Sequence, residues 1–208
     1  MSRGIVTCSA GMVVVAGAIG LSACGGSQAR KTISPTDAIV KFSAAPEQVN
    51  RSFAVLNQET LSDPSGVRKA ALEQLTAKDP DVHYAAVYAL SLTATRGPSL
   101  DALVPILKAR DITQRILAAE TLVAQQDKRG VPVLIDALDS TAPFAHWSPP
   151  RRAWEEAQRA LLRFVPADLG LGRARTVQAA SIAKRAWAQW WARHGAGARL
   201  KPNRIGAP

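Results

Sequence analysis

Few residues of this chain have the types and spacing that catalysis requires. Its histidines, His83, His146 and His194, stand far apart in the sequence and lack metal-ligand spacing. Asp63 and Asp79 precede prolines at predicted helix starts, where capping explains them. No Gly-x-Ser-x-Gly, P-loop or Gly-x-Gly-x-x-Gly motif is present. The sequence therefore predicts a protein that is not an enzyme and needs no metal or cofactor, with an unrecognised enzyme as the less favoured alternative.

The cysteines indicate a different chemistry. Cys8 lies within an apolar run from Ile5 to Leu21, which follows the basic residue Arg3, and this order is typical of an export signal. Cys24 ends the sequence Leu-Ser-Ala-Cys, which resembles the signal of bacterial lipoproteins. The resemblance implies cleavage after residue 23 and lipidation of Cys24 with acyl chains of the palmitate type.

Two alternatives to lipidation remain open. Ala16-Gly17-Ala18 would suit an ordinary signal peptidase, which would release a soluble protein. The apolar run would otherwise stay as a membrane anchor, although Thr7, Ser9 and several glycines weaken that interpretation. The favoured lipoprotein reading predicts an exported protein of the cell envelope. Because Gly25 follows Cys24, the resemblance favours the outer membrane if the cell is Gram-negative.

The chain after the signal divides into a tether, a domain and a tail. Residues 24–34 are rich in Gly, Ser, Lys and Arg and predict a flexible tether, which would span roughly 35 Å when fully stretched. The domain, residues 35–195, lacks cysteine and must fold on its hydrophobic core alone. Residues 196–208 are predicted to be a disordered tail.

A helical repeat is the clearest signal within the domain. An Ala-x-x-x-Leu pattern recurs at residues 71–75, 86–90, 118–122 and 157–161. Between these copies, Val-Pro segments begin at Val104 and Val131. Residues 62–165 resemble HEAT repeats of the short bacterial kind related to phycobilisome lyases. The resemblance implies an all-α fold, a short α-solenoid of helical hairpins capped by residues 35–60 and 166–195; an irregular helical bundle is the alternative.

One interval of this repeat is longer than its counterpart by about 12 residues. The extra residues, 141–152, contain three prolines that exclude a regular helix, together with Phe144, His146 and Trp147. We expect the aromatic residues either to cap the core or to contact a partner. The predicted contact residues for a protein partner are Trp147, Arg151, Arg152 and Arg159.

The last predicted helix, Thr176–His194, carries an aromatic face. Trp187, Trp190 and Trp191 stand at i, i+3 and i+4 and therefore share one side. Such a helix resembles the terminal cap of exported HEAT proteins. As an alternative, the tryptophans with Lys184 and Arg185 would contact anionic lipid or stack on glycan.

The charge is concentrated in the same region. The chain carries a net charge of +10, yet residues 24–140 hold equal numbers of acidic and basic residues. The sequence therefore predicts a lipid-tethered scaffold for protein–protein interaction, and the basic surface favours an acidic partner. The alternative is binding of lipid headgroups, lipopolysaccharide or wall polymer through the basic C-terminal region. Export argues against a nucleic-acid partner.

Overall fold

The computed structural model describes residues 33–145, 151–167, 169–170 and 173–202. The signal, most of the tether, His146 and Trp147 lie outside these residues. The described chain is mostly helical, which confirms the all-α prediction. Its α-helices are α1 (Pro35–Val40), α2 (Val49–Ser62), α3 (Pro64–Gln74), α4 (Pro80–Thr93), α5 (Pro98–Asp101), α6 (Ile112–Ala124), α7 (Val131–Asp136), α8 (Ala153–Phe164) and α9 (Val177–His194).

Aspartates start three of the principal helices. Asp63 accepts a hydrogen bond from the backbone N–H of Gly66 at 2.8 Å, and Asp79 accepts one from Asp81 at 2.9 Å. Asp111 caps α6 in the same way. Each carboxylate satisfies a backbone donor that the helix itself cannot pair. The predicted capping roles of Asp63 and Asp79 are confirmed.

The Ala-x-x-x-Leu pattern marks the helices that build the core. Its alanines are fully buried in α3, α4, α6 and α8, because a small side chain lets neighbouring helices approach closely. Helix α3 packs on α4, α4 on α6, and α6 on α8. Gly130 permits a further close approach, since a Cβ atom there would lie 2.3 Å from the carbonyl oxygen of Ala119.

The Val-Pro segments are shorter than the predicted helices. Residues Pro105–Lys108 form a single 3-10 turn, and α7 has six residues. The first turn stops because Ala109 leaves the helical region with ψ 151°. Two further 3-10 turns, Lys128–Gly130 and Ala137–Asp139, complete these connections. Between the long helices α4, α6 and α8, the chain therefore forms only short helical segments.

The two ends of the domain are attached differently. At the N-terminal end, Phe42 and Phe53 pack with Tyr84 at ring distances of 5.9 and 6.3 Å. At the C-terminal end, α9 contacts α7 and the turn Ala137–Asp139. The prediction of a disordered tail is wrong for residues 196–202. This segment packs on the domain, and Leu200 is only 7% exposed. Among the described residues, no helix combines the length and apolar character needed to cross a bilayer.

Candidate functional site

The predicted insertion begins and ends in a two-residue antiparallel pairing. Strand β1 (Pro143–Phe144) pairs with β2 (Arg151–Arg152), and Phe144 lies opposite Arg151. The Phe144 side chain is buried in the core, and the N–H of Ala145 donates to the Thr113 hydroxyl at 3.0 Å. The base of the insertion is thus attached to α6. Phe144 caps the core, which is one of the two arrangements expected from the sequence.

Two of the predicted contact arginines meet at a buried carboxylate. Glu156 of α8 is 2% exposed and accepts hydrogen bonds from Arg151 at 2.6 Å and from Arg159 at 2.7 Å. Arg159 also donates to Glu120 of α6 at 3.0 Å. We call Glu120, Arg151, Glu156 and Arg159 the charged cluster. Its arginines neutralise interior acids, so only part of their charge acts on the surroundings.

The pKa values in the charged cluster follow from burial and pairing. Burial raises the pKa of Glu120, and the nearby charge of Arg159 only partly opposes this effect. For Arg159, burial alone would lower the pKa, but the charges of Glu120 and Glu156 outweigh it and raise the value. Arg159 therefore stays charged. Its charge only partly offsets the free-energy cost of burying the ionised form of Glu120.

Arg152 has a local structural contact. Its backbone N–H donates to the Glu155 carboxylate at 2.7 Å, and its guanidinium donates to the carbonyl oxygen of Thr141 at 3.2 Å. These bonds join the two ends of the insertion at the start of α8. The predicted contact set is thus brought together only in part, since Trp147 lies outside the described residues.

A groove adjoins the charged cluster and crosses three helices. It has a volume of about 250 Å³, and its walls include Tyr88 and Leu92 of α4, Leu117 and Glu120 of α6, and Arg159 and Phe164 of α8. Leu92 is 47% exposed at the rim. The guanidinium of Arg163, which also lines the groove, lies 4.9 Å from the centre of the Phe164 ring. We call this feature the α4–α6–α8 groove; it combines apolar walls with charged hydrogen-bonding groups.

The aromatic helix α9 uses its tryptophans mainly inside the domain. Trp187 is 2% exposed, and Trp190 and Trp191 are half-buried against the core. The His194 ring stacks on Trp190 at 5.5 Å. Within the described domain, Trp187 is therefore a core residue, which is the arrangement that a cap requires.

Lys184 and Arg185 are neighbours in sequence but differ in environment. Lys184 forms ion pairs with Asp136 and Asp139, both at 3.0 Å, and so fastens α9 to the end of α7. Burial would lower the pKa of Lys184, but its hydrogen bonds to these carboxylates raise it. Arg185 is exposed and forms no ion pair among the described residues. Of the two predicted lipid-contact cations, Arg185 is therefore exposed, whereas Lys184 is partly buried and paired.

Several of these residues carry no signal that could be found from the sequence. Glu120 lies 39 residues from its partner Arg159, and Asp136 lies 48 residues from Lys184. The one available clue was the i, i+3 spacing of Glu156 and Arg159, which favours a local ion pair on a helix. Across the part of the chain that the structure describes, no group of three or more His, Cys, Asp or Glu side chains is arranged to hold a metal ion.

No protein-family model matches this chain, and neither a curated protein nor a solved structure shows significant similarity to it. The resemblances to HEAT repeats and to a lipoprotein signal therefore stay predictions that depend on the residues themselves.

Proposed function

We propose that this protein is a membrane-tethered, non-enzymatic scaffold of the bacterial cell envelope that binds another protein. In this proposal, lipid on Cys24 holds the chain at the membrane, and the domain is a short α-solenoid of HEAT-like hairpins. The side-by-side packing of α4, α6 and α8, each with the Ala-x-x-x-Leu pattern, supports the repeat. Stacked helices of this kind offer an extended surface rather than an enclosed site.

The α4–α6–α8 groove is the observation on which the binding function depends. Leu92 and Leu117 offer apolar contact, and the Arg159–Glu120 pair lies beside them. Apolar walls with a few placed polar groups are typical of sites that bind one side chain and fix its orientation. Arg159 also belongs to the contact residues predicted from sequence, and it joins the groove to the insertion.

The charges around the groove favour a partner segment with acidic side chains. Three arginines, Arg151, Arg159 and Arg163, lie in or beside the groove together with two glutamates, Glu120 and Glu156. An extended segment that places an apolar side chain against Leu92 would bring neighbouring carboxylates toward these arginines. Such complementarity speeds encounter and selects the register of binding.

A crosslinking experiment with matched leucine variants tests this function. A photoreactive residue at Ser91, on the groove, should capture one species in intact cells. Leu92→Glu should reduce that capture by about tenfold, because a charge replaces an apolar contact. Leu61→Glu is the control, since Leu61 is 81% exposed on α2 and does not line the groove. Equal loss in both variants, or no loss with Leu92→Glu, would remove the groove as the binding site.

The tethering part of the proposal has its own test. Cells fed labelled palmitate should incorporate the label into the wild-type protein but not into Cys24→Ser. If the apolar signal is still removed from the variant, the variant should also leave the membrane fraction, because no acyl chain would then hold it. Label that persists in Cys24→Ser, or no label in the wild type, would reject lipidation of Cys24 without affecting the proposal for the groove.

Binding of anionic envelope components through α9 is the second candidate. It is favoured by a face of α9 on which Ile182, Arg185 and Arg193 are all exposed. An apolar side chain that shares one helix face with two arginines suits the surface of an anionic bilayer. In protein that lacks residues 1–24, Arg185→Glu with Arg193→Glu should then abolish binding to phosphatidylglycerol vesicles at low salt. Retention of the variant on such vesicles would exclude this face.

A further inference from the structure

A second concentration of positive charge lies just past the C-terminal ends of the groove helices. Arg96, just past α4, donates to the Gln126 side-chain oxygen at 3.1 Å and to the carbonyl oxygen of Gln125 at 3.3 Å. Lys128 reaches the tail after α9 and donates to the carbonyl oxygen of Ala196 at 2.5 Å. The ends of α4, α6 and α9 are therefore joined by cations that bond to neutral oxygen atoms.

A depression forms where the tail passes these helix ends. It has a volume of about 510 Å³ and is lined by Gln126, Lys128, Gly197, Ala198, Arg199 and Leu200. Buried Leu200 holds the tail in place, and the N–H of Lys201 donates to the carbonyl oxygen of Phe164 at 2.7 Å. We call this feature the tail depression. Its position is set by packing, so its cations come together although they are distant in sequence.

The cations at the tail depression have no acidic partners among the described residues. Arg96, Lys128, Arg199 and Lys201 form no ion pair there, whereas nearby Arg129 pairs with both Asp101 and Asp127. The C-terminal ends of α4, α6, α8 and α9 each contribute roughly half a negative charge, which leaves about +2 in excess. Uncompensated charge of this size attracts an anion from solution.

We propose that the tail depression is a binding site for a phosphate ester. Lys128 and Arg199 line the depression and would contact the phosphate oxygens. Arg96, which donates a hydrogen bond to the lining residue Gln126, would add a further positive charge nearby. A phosphate group accepts hydrogen bonds on several oxygens at once, which suits a lysine and an arginine approaching from two chain segments. The ester is carried by a lipid headgroup or by a soluble molecule; the chemistry recognised is the same.

Calorimetric titration of the full-length protein in a maltoside detergent tests this site. Three probes are compared at low salt: soluble glycerol phosphate, phosphatidylglycerol added to the micelles, and polyglutamate. Glycerol phosphate should bind, and Lys128→Glu with Arg199→Glu should weaken that binding by about tenfold or more, because charge-assisted hydrogen bonds become repulsions. The matched control is Arg173→Glu with Arg175→Glu, which changes the net charge equally at exposed positions outside the depression.

The arms of the titration separate the possible outcomes. Binding of glycerol phosphate alone supports the site with a soluble ester as its ligand. Stronger binding of phosphatidylglycerol that glycerol phosphate displaces supports a lipid headgroup. Equal loss in the two double variants would show a diffuse charge effect and overturn the site. Binding of polyglutamate without either phosphate ester, or no binding at all, would also overturn it.

Discussion

The charged cluster and the tail depression contain the same kinds of side chain in opposite circumstances. In the cluster, Arg151 and Arg159 surround a carboxylate that is almost completely buried. In the depression, Lys128 donates to a neutral carbonyl oxygen, and neither Lys128 nor Arg199 forms an ion pair among the described residues. Net charge therefore says little about where an anion binds. The binding of an anion depends on whether the cations at a site are already paired with counter-ions from the fold itself.

This difference changes how the predicted contact arginines are best tested. Reversing Arg151, Arg152 and Arg159 together would appear from the sequence to remove only a surface patch. In the structure it would place new carboxylates against Glu156, which has almost no access to water. A loss of partner binding in such a variant would then report unfolding as readily as recognition.

The largest effect should come from a charge reversal inside the cluster. Arg159→Glu would place a third carboxylate beside Glu120 and Glu156, and we expect a loss of about 4 kcal/mol in the free energy of unfolding. Arg199→Glu makes the same chemical change at an exposed site and should alter stability little. Urea denaturation followed by circular dichroism measures both. Similar stabilities for the two variants would mean that the two regions do not differ as described.

The second prediction concerns the inward side of α9. Trp187→Ala should cost about 3 kcal/mol, because it empties a site for a large, 2% exposed side chain. The matched change Trp191→Ala should cost less, since Trp191 is only half-buried. Thermal unfolding of both variants tests this order. If Trp187→Ala were fully stable, the tryptophan would not belong to the core, and the case for α9 as a bilayer contact would improve.

Local signals were predicted well from the sequence, and long-range pairing was not. Asp63 and Asp79 were identified as caps because their partners lie two or three residues away. The start of α9 follows from the same local chemistry, because the Thr176 hydroxyl accepts from the N–H of Ala179. Its end before Gly195 was predicted at the observed residue, but Gly195 is right-handed, with φ −57°, and does not form the left-handed cap. Glu156, three residues before Arg159, is a local counter-ion that its spacing indicates. Glu120, the second counter-ion of Arg159, and both counter-ions of Lys184 lie tens of residues away, so these pairs depend on how the helices pack.

A smaller effect should separate the neighbouring cations of α9. Lys184→Ala breaks two ion pairs that are largely exposed on their acidic side, so the expected loss is about 0.5–1 kcal/mol. Arg185→Ala removes an exposed cation with no described ion pair and should change stability less. Adding salt should reduce the difference between the variants, because salt screens exposed pairs. A difference that is independent of salt would indicate a packing effect instead.

The smallest expected effect comes from replacing the Glu120 carboxylate with an amide of nearly the same shape. Glu120→Gln keeps an oxygen acceptor for Arg159 but removes the partly buried charge. Because burial raises the pKa of Glu120 in the folded state, folded wild type holds its proton to a higher pH than the unfolded chain does. The stability gained from that proton is complete below the ordinary carboxyl range, about pH 4.3, and is lost as the pH rises through the raised value.

Glu120→Gln does not undergo this loss, so its stability relative to wild type should improve between pH 4.5 and pH 7. Urea denaturation at the two pH values measures the change, and Glu73→Gln controls for the loss of one exposed negative charge. An improvement confined to Glu120→Gln would show that Arg159 does not fully compensate the cost of burying the Glu120 carboxylate. If the stability of Glu120→Gln relative to wild type instead fell as the pH rose, Arg159 would stabilise the Glu120 carboxylate by more than burial destabilises it. Glu120 and Arg159, which both line the groove, would then form a fully compensated ion pair.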